Sequence, residues 1–296
     1  LKQTNNYNLP SVFEGFEKAN PYSSEGSDFS ATTLIDAPQV KRLFAKHSGD
    51  LTEDISERAF SILGTAVHKI LEDGASENQK AEERLFATIE TPEGEVSVSG
   101  QIDLQTILPE GHLLSDYKTT SIWSYRDWAS DKGKPEWVKQ LNVYQALAVL
   151  NGIDVIGLEV VAIFRDWTSG GVDRFEVYPE SPIMRLSIPM WEPEEAVNYL
   201  KKRTALHKSS DIPGCTDEER WAKPPVFAVH EMLSNGKGLK KRATKLFEDE
   251  LEASIFSADR EGSEVIERPR VFTRCEGNYC KVAQFCSQYS SDIEEI

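Results

Sequence analysis

Asp116 and Lys118 stand two residues apart in Leu113-Leu-Ser-Asp-Tyr-Lys-Thr-Thr120, and in a β-strand that spacing turns both side chains to one face. A surface ion pair and a catalytic pair both have this form. A second acid, Asp103, interrupts the apolar run Gly100-Gln-Ile-Asp-Leu104. Acids are disfavoured in strands, and a buried carboxylate requires a partner or a cation. Upstream, the helical stretch Gly64 to Glu72 carries one imidazole, His68, which alone reads as an ordinary surface or core histidine. Downstream, Gln140 and Tyr144 lie one helical turn apart and share a face. They suit ordinary surface positions, hydrogen bonding to phosphates, or bracing of a catalytic lysine. Together, two carboxylates and an imidazole can hold Mg²⁺ or Mn²⁺ with positions open for water and a phosphate oxygen, the requirement of phosphodiester hydrolysis. Lys118 then orients or deprotonates the attacking water, or neutralises charge in the transition state.

A second group is sulfur. Cys275, Cys280 and Cys286 are spaced C-x4-C-x5-C, Cys215 lies sixty residues before the first of them, and the chain has four cysteines in all. Four thiolates suit tetrahedral Zn²⁺ or an iron–sulfur cluster, with independent buried thiols as the plain alternative. The gaps exceed the usual short zinc spacing, which favours iron–sulfur. Disulfides are disfavoured without a secretion signal.

Positioning these groups falls to elements legible in the pattern. Ala59 to Leu71 puts Ile62, Ala66 and Ile70 on one helix face, and Gly74 ends it. Strand-like runs at 84–91, 96–107 and 112–119, separated by Pro-Glu-Gly turns at 92–94 and 109–111, predict a three-stranded meander. A helix over 135–151, strands over 155–167 and 172–178, the first apolar enough to be central, and helices over 194–207 and 239–258 follow, with a further helix after Pro38. The expected fold is α/β, a mixed central sheet flanked by helices. Residues 1–30 read as an irregular arm, 31–209 as the core with its N-terminal helices, and 210–296 as a cysteine-bound C-terminal lobe.

The composition, 39% hydrophobic with six Trp and thirteen Phe, is that of a folded chain and not a disordered one. No run of eighteen apolar residues and no apolar leader core occurs, which predicts a soluble, cytoplasmic protein. The balance of 33 basic against 49 acidic residues, a net charge of −16, argues against a nucleic-acid partner unless cations are gathered locally. Two runs offer that: Lys201, Lys202, Arg203, and Lys237, Lys240, Lys241, Arg242, Lys245. Each is equally well a solvated face.

In order, these motifs resemble the RecB-like branch of the PD-(D/E)XK nuclease superfamily. That branch is marked by a GTxxHxxLE helix (here Gly64 to Glu72), a G-x-(I/V)-D strand (Gly100 to Asp103), a (D/E)-x-K strand (Asp116 to Lys118) and a QxxxY helix (Gln140 to Tyr144). They fall between residues 64 and 144, about a quarter of the chain. The resemblance implies a PD-(D/E)XK core and a metal-dependent deoxyribonuclease with Mg²⁺ or Mn²⁺ on His68, Asp103, Asp116 and the carbonyl of Tyr117. It implies Asp103, Asp116 and Lys118 as the catalytic set, with Gln140 and Tyr144 supporting them or contacting DNA. Members often carry a four-cysteine [4Fe-4S] cluster, which here falls to Cys215, Cys275, Cys280 and Cys286, with Zn²⁺ as the alternative. In better-known members the distant cysteine precedes the core, whereas Cys215 follows it, an order similar to phage-borne members of the superfamily. The implied activity is exonucleolytic, on single strands or DNA ends, in recombination, repair or phage DNA processing. A nuclease of CRISPR adaptation shares every motif. A DNA-binding module that has lost activity, and an acidic mimic of DNA, are the readings from other classes.

Overall fold

The computed structural model describes residues 1–19, 24–130 and 134–294. The chain divides into two compact units, Leu1–Lys41 with Gly49–Ile212, and Arg42–Ser48 with Pro213–Ile296. In the first unit, β1 (Lys2–Thr4), α1 (Val12–Ala19), β2 (Phe29–Ser30), α2 (Ala31–Ile35) and α3 (Pro38–His47, which runs on into the second) lead to β3 (Thr52–Asp54), paired in parallel with β1. The first thirty residues therefore carry regular structure and belong to the core unit; residues 20–23 lie outside the described residues.

Helix α4 (Ala59–Glu72) stops where the Gly74 N–H takes the Leu71 carbonyl. Its stripe of Ile62, Ala66 and Ile70 is not buried; Ile70 is 71% exposed. The meander is β4 (Gln79–Thr91), β5 (Gly94–Leu108) and β6 (Gly111–Thr120), followed by α5 (Ile122–Ala129), α6 (Pro135–Leu150), β7 (Val155–Phe164), α7 (Ser169–Val172), β8 (Ile183–Ser187) and α8 (Pro193–Lys208). One sheet runs β2-β5-β6-β7-β8 with β4 also on β5; β2/β5 and β6/β7 are parallel and the remaining pairs antiparallel. This is the mixed α/β sheet with helical cover that the pattern predicts. The apolar run in β7 lies between β6 and β8, as burial on both faces requires.

No strand forms over 172–178. The Tyr178 ring closes on Gly171, where a Cβ would lie 2.2 Å from its Cζ, and the Thr168 N–H donates to the Tyr178 hydroxyl at 2.9 Å. The next strand is delayed to Ile183. Helix α6 is buried from Gln140 to Ala148 and packs Leu141, Val143 and Leu147 into a core with Val96, Val98, Ile102 and Val160. Of the first basic run, Arg203 on α8 donates to the carbonyls of Leu34 and Asp36, so it holds the end of α2.

The second unit holds β9 (Ala222–Lys223), β10 (Val226–His230), β11 (Lys245–Phe247), α9 (Glu250–Ala258), β12 (Glu264–Arg268), β13 (Val271–Phe272), α10 (Thr273–Glu276) and α11 (Ser287–Glu294). β10 is the centre of an antiparallel β11-β10-β12 sheet, and β9 pairs with β13. The expected helix over 239–258 is confined to α9, capped by Asp249 on the Glu252 N–H. Pairing of 245–247 with β10 overrides local helical propensity, and Lys240 is paired with Glu231. No helix among the described residues is long and apolar enough to cross a membrane.

Candidate active site

A strand has two edges, and those of β5 explain the site. β4 covers one edge from Gly94 to Thr106, while β2 meets the other at Val98–Ser99 and β6 at Leu104–Leu108. Between β2 and β6, residues 100–103 have no strand on that edge. β5 and β6 part where Asp103 would next face Asp116, while β6 continues against β7 to Thr120. The Tyr117 N–H, left without a ladder partner on that side, donates to Asp103 Oδ2 at 2.6 Å. The carboxylate thus occupies the fork and holds it open.

Around the fork is a cleft of 950 Å³ lined by His68, Asp103, Asp116, Lys118, Gln140 and Tyr144, among others. Six of the seven nuclease-site residues expected from the sequence therefore share one wall-to-wall space; the seventh, Tyr117, contributes the backbone N–H behind Asp103. The Lys118 ammonium lies 2.5 Å from Asp116 Oδ2, though not aligned as a hydrogen bond, so that buried oxygen lacks a hydrogen-bond partner. Gln140 Nε2 donates to Asp116 Oδ1 and to the Tyr144 hydroxyl, both at 2.9 Å. Both residues are buried and line the cleft, so they are not ordinary surface groups, and Gln140 braces Asp116.

His68 Nδ1 lies 3.5 Å from Asp103 Oδ1 and 3.2 Å from Oε1 of Glu82, a residue the sequence reading missed. Ligand atoms of His68, Glu82 and Asp103 all fall within 4.8 Å of one another, a group that does not include Asp116. The signal was available. The turn pairing Thr91 with Gly94 fixes the hairpin register, and counting back from it sets Glu82 opposite Asp103.

Burial, then the Asp116 charge, pushes the Asp103 carboxyl up to about 7, with His68 and the Tyr117 N–H opposing. The Glu82 hydrogen bond, then the charges of Asp103, Glu82 and Asp116, raise the His68 imidazole above its ordinary value against the effect of burial. Both groups hold protons more tightly folded than unfolded. In EDTA, stability should therefore fall as pH rises from 3.8 to about 7 through Asp103, with the His68 contribution lost above 6.5. Thermal melting across that range tests this, and Asp103→Asn should flatten the lower part of the slope.

Two glycines of the motifs differ in what they do. At Gly100 a Cβ would lie 2.6 Å from Leu147 Cδ1 and 3.0 Å from the Tyr144 ring, so α6 approaches β5 only because no side chain intervenes. At Gly64 the nearest atom is Thr119 Oγ1 at 3.7 Å, ordinary contact. Gly100→Ala should cost about 1–3 kcal/mol in urea unfolding. Gly64→Ala should be neutral or stabilising by about 0.5–1 kcal/mol; equal losses at both positions would contradict this account.

In the second unit, none of the four cysteines is in a disulfide. Cys275 lies on α10, Cys280 follows a turn whose Asn278 has φ +60°, and Cys286 follows a short turn of helix at 283–285. Gln288 anchors the Cys215 loop, accepting from its N–H at 2.9 Å and donating to its carbonyl at 3.0 Å. Cys215 is close enough to Cys286 and Cys280, and Cys280 to Cys275 and Cys286, for their charges to interact. Burial, then Glu219, pushes the Cys215 thiol up to about 12.

No protein-family model and no curated protein matches the chain. Among solved structures it is similar to one described as "Crystal structure of SSO0001", at 19% identity and a TM-score of 0.43, covering 67% of this chain and 84% of that one.

Proposed function

We propose that the chain is a divalent-metal-dependent deoxyribonuclease of the PD-(D/E)XK type, acting on single strands or DNA ends. The observation that carries this is the fork itself: Asp103 and Asp116, on strands that part between them, meet His68, Glu82 and Lys118 in one cleft. Ordinary ion-pair networks do not need strands to separate. The donor set fits a hard cation, since carboxylates and one imidazole converge, and burial followed by the Asp116 charge drives Asp103 toward its neutral form, a cost that a bound cation would offset. His68 and Asp103 would hold the ion, with Asp116 and Glu82 lining the same cleft. A bound Mg²⁺ or Mn²⁺ would polarise the phosphate and acidify a water.

The chain's own groups do the rest. Lys118 presents its ammonium to the cleft, held by Asp116, where it orients an attacking water and stabilises charge gathering on phosphate oxygens. Gln140 fixes Asp116 and so fixes Lys118. Tyr117, through its N–H, keeps Asp103 in the fork.

The cysteines fit a [4Fe-4S] cluster on the second unit. The gaps of four and five residues between Cys275, Cys280 and Cys286 exceed the usual short zinc spacing, which favours the cubane. The deciding experiment for the enzyme is incubation with end-labelled single- and double-stranded DNA in Mg²⁺, Mn²⁺ or EDTA. Metal-dependent products are expected; intact DNA in every lane overturns the reading.

A further inference from the structure

The ladder of β4 on β5 keeps a single register from Gln79 opposite Thr106 to Thr91 opposite Gly94, and it skips one position, Glu82 opposite Asp103. There Glu82 takes φ +53°, a left-handed backbone that costs a residue with a side chain about 1–3 kcal/mol. Its carboxylate is held by two groups. Gln101 Nε2 donates to Oε2 at 2.9 Å, and the other oxygen, Oε1, faces His68. Gln101 is in turn oriented by Arg84, its directly opposed partner in the ladder, which donates to Gln101 Oε1 at 2.5 Å and to Ser99 Oγ at 3.1 Å. Because the guanidinium can only donate, it takes the amide oxygen and leaves the amide N–H for Glu82. The amide cannot turn over without losing both bonds.

We infer that Glu82 is a metal ligand of this chain, and that Arg84 acting through Gln101 positions it. This rests on the reading of the cleft as a divalent-cation site and adds to it a ligand that the motif resemblance does not supply. Three features point the same way. Ligand atoms of Glu82, His68 and Asp103 lie within 4.8 Å of one another. Three carboxylates, Glu82, Asp103 and Asp116, line the same cleft, and Lys118 is ion-paired with Asp116, which leaves Glu82 and Asp103 to the imidazole of His68. The hydrogen bond from Gln101 leaves Oε1 on the side of the trio, so the relay aims one oxygen and occupies the other. Partners behind a ligand commonly govern metal affinity by 10–100-fold.

The experiment is calorimetric titration of the full chain with Mn²⁺, without DNA, for wild type, Glu82→Gln, Gln101→Leu and the double variant, with melting in EDTA to establish that each is folded. Glu82→Gln should weaken Mn²⁺ binding by at least about 10-fold and Gln101→Leu by about 10–100-fold. Because Gln101 acts only through Glu82, adding Gln101→Leu to Glu82→Gln should change affinity less than twofold. Glu82→Gly, which suits φ +53°, should lose affinity without losing stability in EDTA, so that the ligand role is read apart from the fold. Undetectable Mn²⁺ binding by wild type, or binding by Glu82→Gln within twofold of wild type, overturns the ligand. Penalties that multiply in the double variant overturn the relay. A wild-type chain that behaves as expected in calorimetry but leaves DNA intact supports this inference and overturns the nuclease reading.

Discussion

Lys118→Ala and Asp116→Asn should each lower hydrolysis of end-labelled DNA in Mg²⁺ by about 10²–10³-fold, the cost of losing one preorganised partner of transition-state charge. Neither change should unfold the protein. Lys118 is half-buried at the cleft wall, while Asn at 116 keeps an oxygen for Gln140 Nε2 at the place of Oδ1. What Asn cannot do is face the Lys118 ammonium with a negative oxygen, so the lysine loses its fixed position 2.5 Å away. The two losses should therefore not multiply: the double variant should be little worse than the poorer single one, because Asp116 acts in part through Lys118. Gln140→Leu, which leaves the buried Asp116 Oδ1 without its amide donor, should fall in the same direction by a smaller factor. Initial rates at saturating DNA, with melting curves for each variant, measure this. Cleavage within a few-fold of wild type in both single variants would remove Asp116 and Lys118 from the chemistry.

His68, Asp103, Asp116 and Lys118 were legible because each sits in an element whose period is strong: a two-residue step in a strand, an acid inside an apolar run, an imidazole on a helix. Turn chemistry at 92–94 and 109–111 fixed the meander, so the strands that carry the acids could be ordered before any contact was known. Glu82 was overlooked for a physical reason, although the hairpin register sets it opposite Asp103. Its left-handed backbone breaks the alternation that identifies a strand, and the strand reading began two residues after it, at Arg84. The opening between β5 and β6 was illegible, since nothing local in Gly100–Leu104 says that a partner strand departs there; only the Tyr117 N–H bonded to Asp103 reveals it. The same limit explains the stretch at 239–249. Its Lys- and Leu-rich composition favours a helix, but residues 245–247 find hydrogen-bond partners on β10, 16 to 20 residues earlier, and long-range pairing outweighs intrinsic preference. Around 172–178, alternation suggested a strand, whereas the small residues at 169–171 let Tyr178 fold back and end the possibility.

Cys215→Ser should be the most damaging change in the second unit, and its effect should be on stability before activity. Cys275, Cys280 and Cys286 come from one carboxy-terminal stretch, so a cluster held by those three alone closes only short loops. On the proposed cluster, Cys215 would tie this stretch to a loop 60 to 71 residues earlier, and closing a loop of that length removes roughly 4 kcal/mol of unfolded-state entropy on the chain-entropy account. The other ties between the two segments are non-covalent: the paired bonds of Gln288 with the Cys215 backbone, the two-residue β9–β13 pairing, Arg274 on the carbonyls of Arg220 and Glu219, the Arg270–Asp217 ion pair, and the contacts of Trp221 with Tyr279 and of Arg220 with Phe272. Exposed thiols and a loosened carboxy-terminal stretch would follow, seen as protease sensitivity after residue 213. Wild-type protein purified without oxygen should be brown and carry roughly four irons per chain. Cys215→Ser should lose iron and melt at a lower temperature, while the fraction that stays folded keeps its Mn²⁺ affinity, since His68, Glu82 and Asp103 belong to the first unit. Colourless wild-type protein with one zinc per chain would replace the cubane with zinc and leave the loop-closure argument standing. Metal-free protein with four thiols open to titration, and a Cys215→Ser variant as stable as wild type, would overturn both the cluster and its structural role.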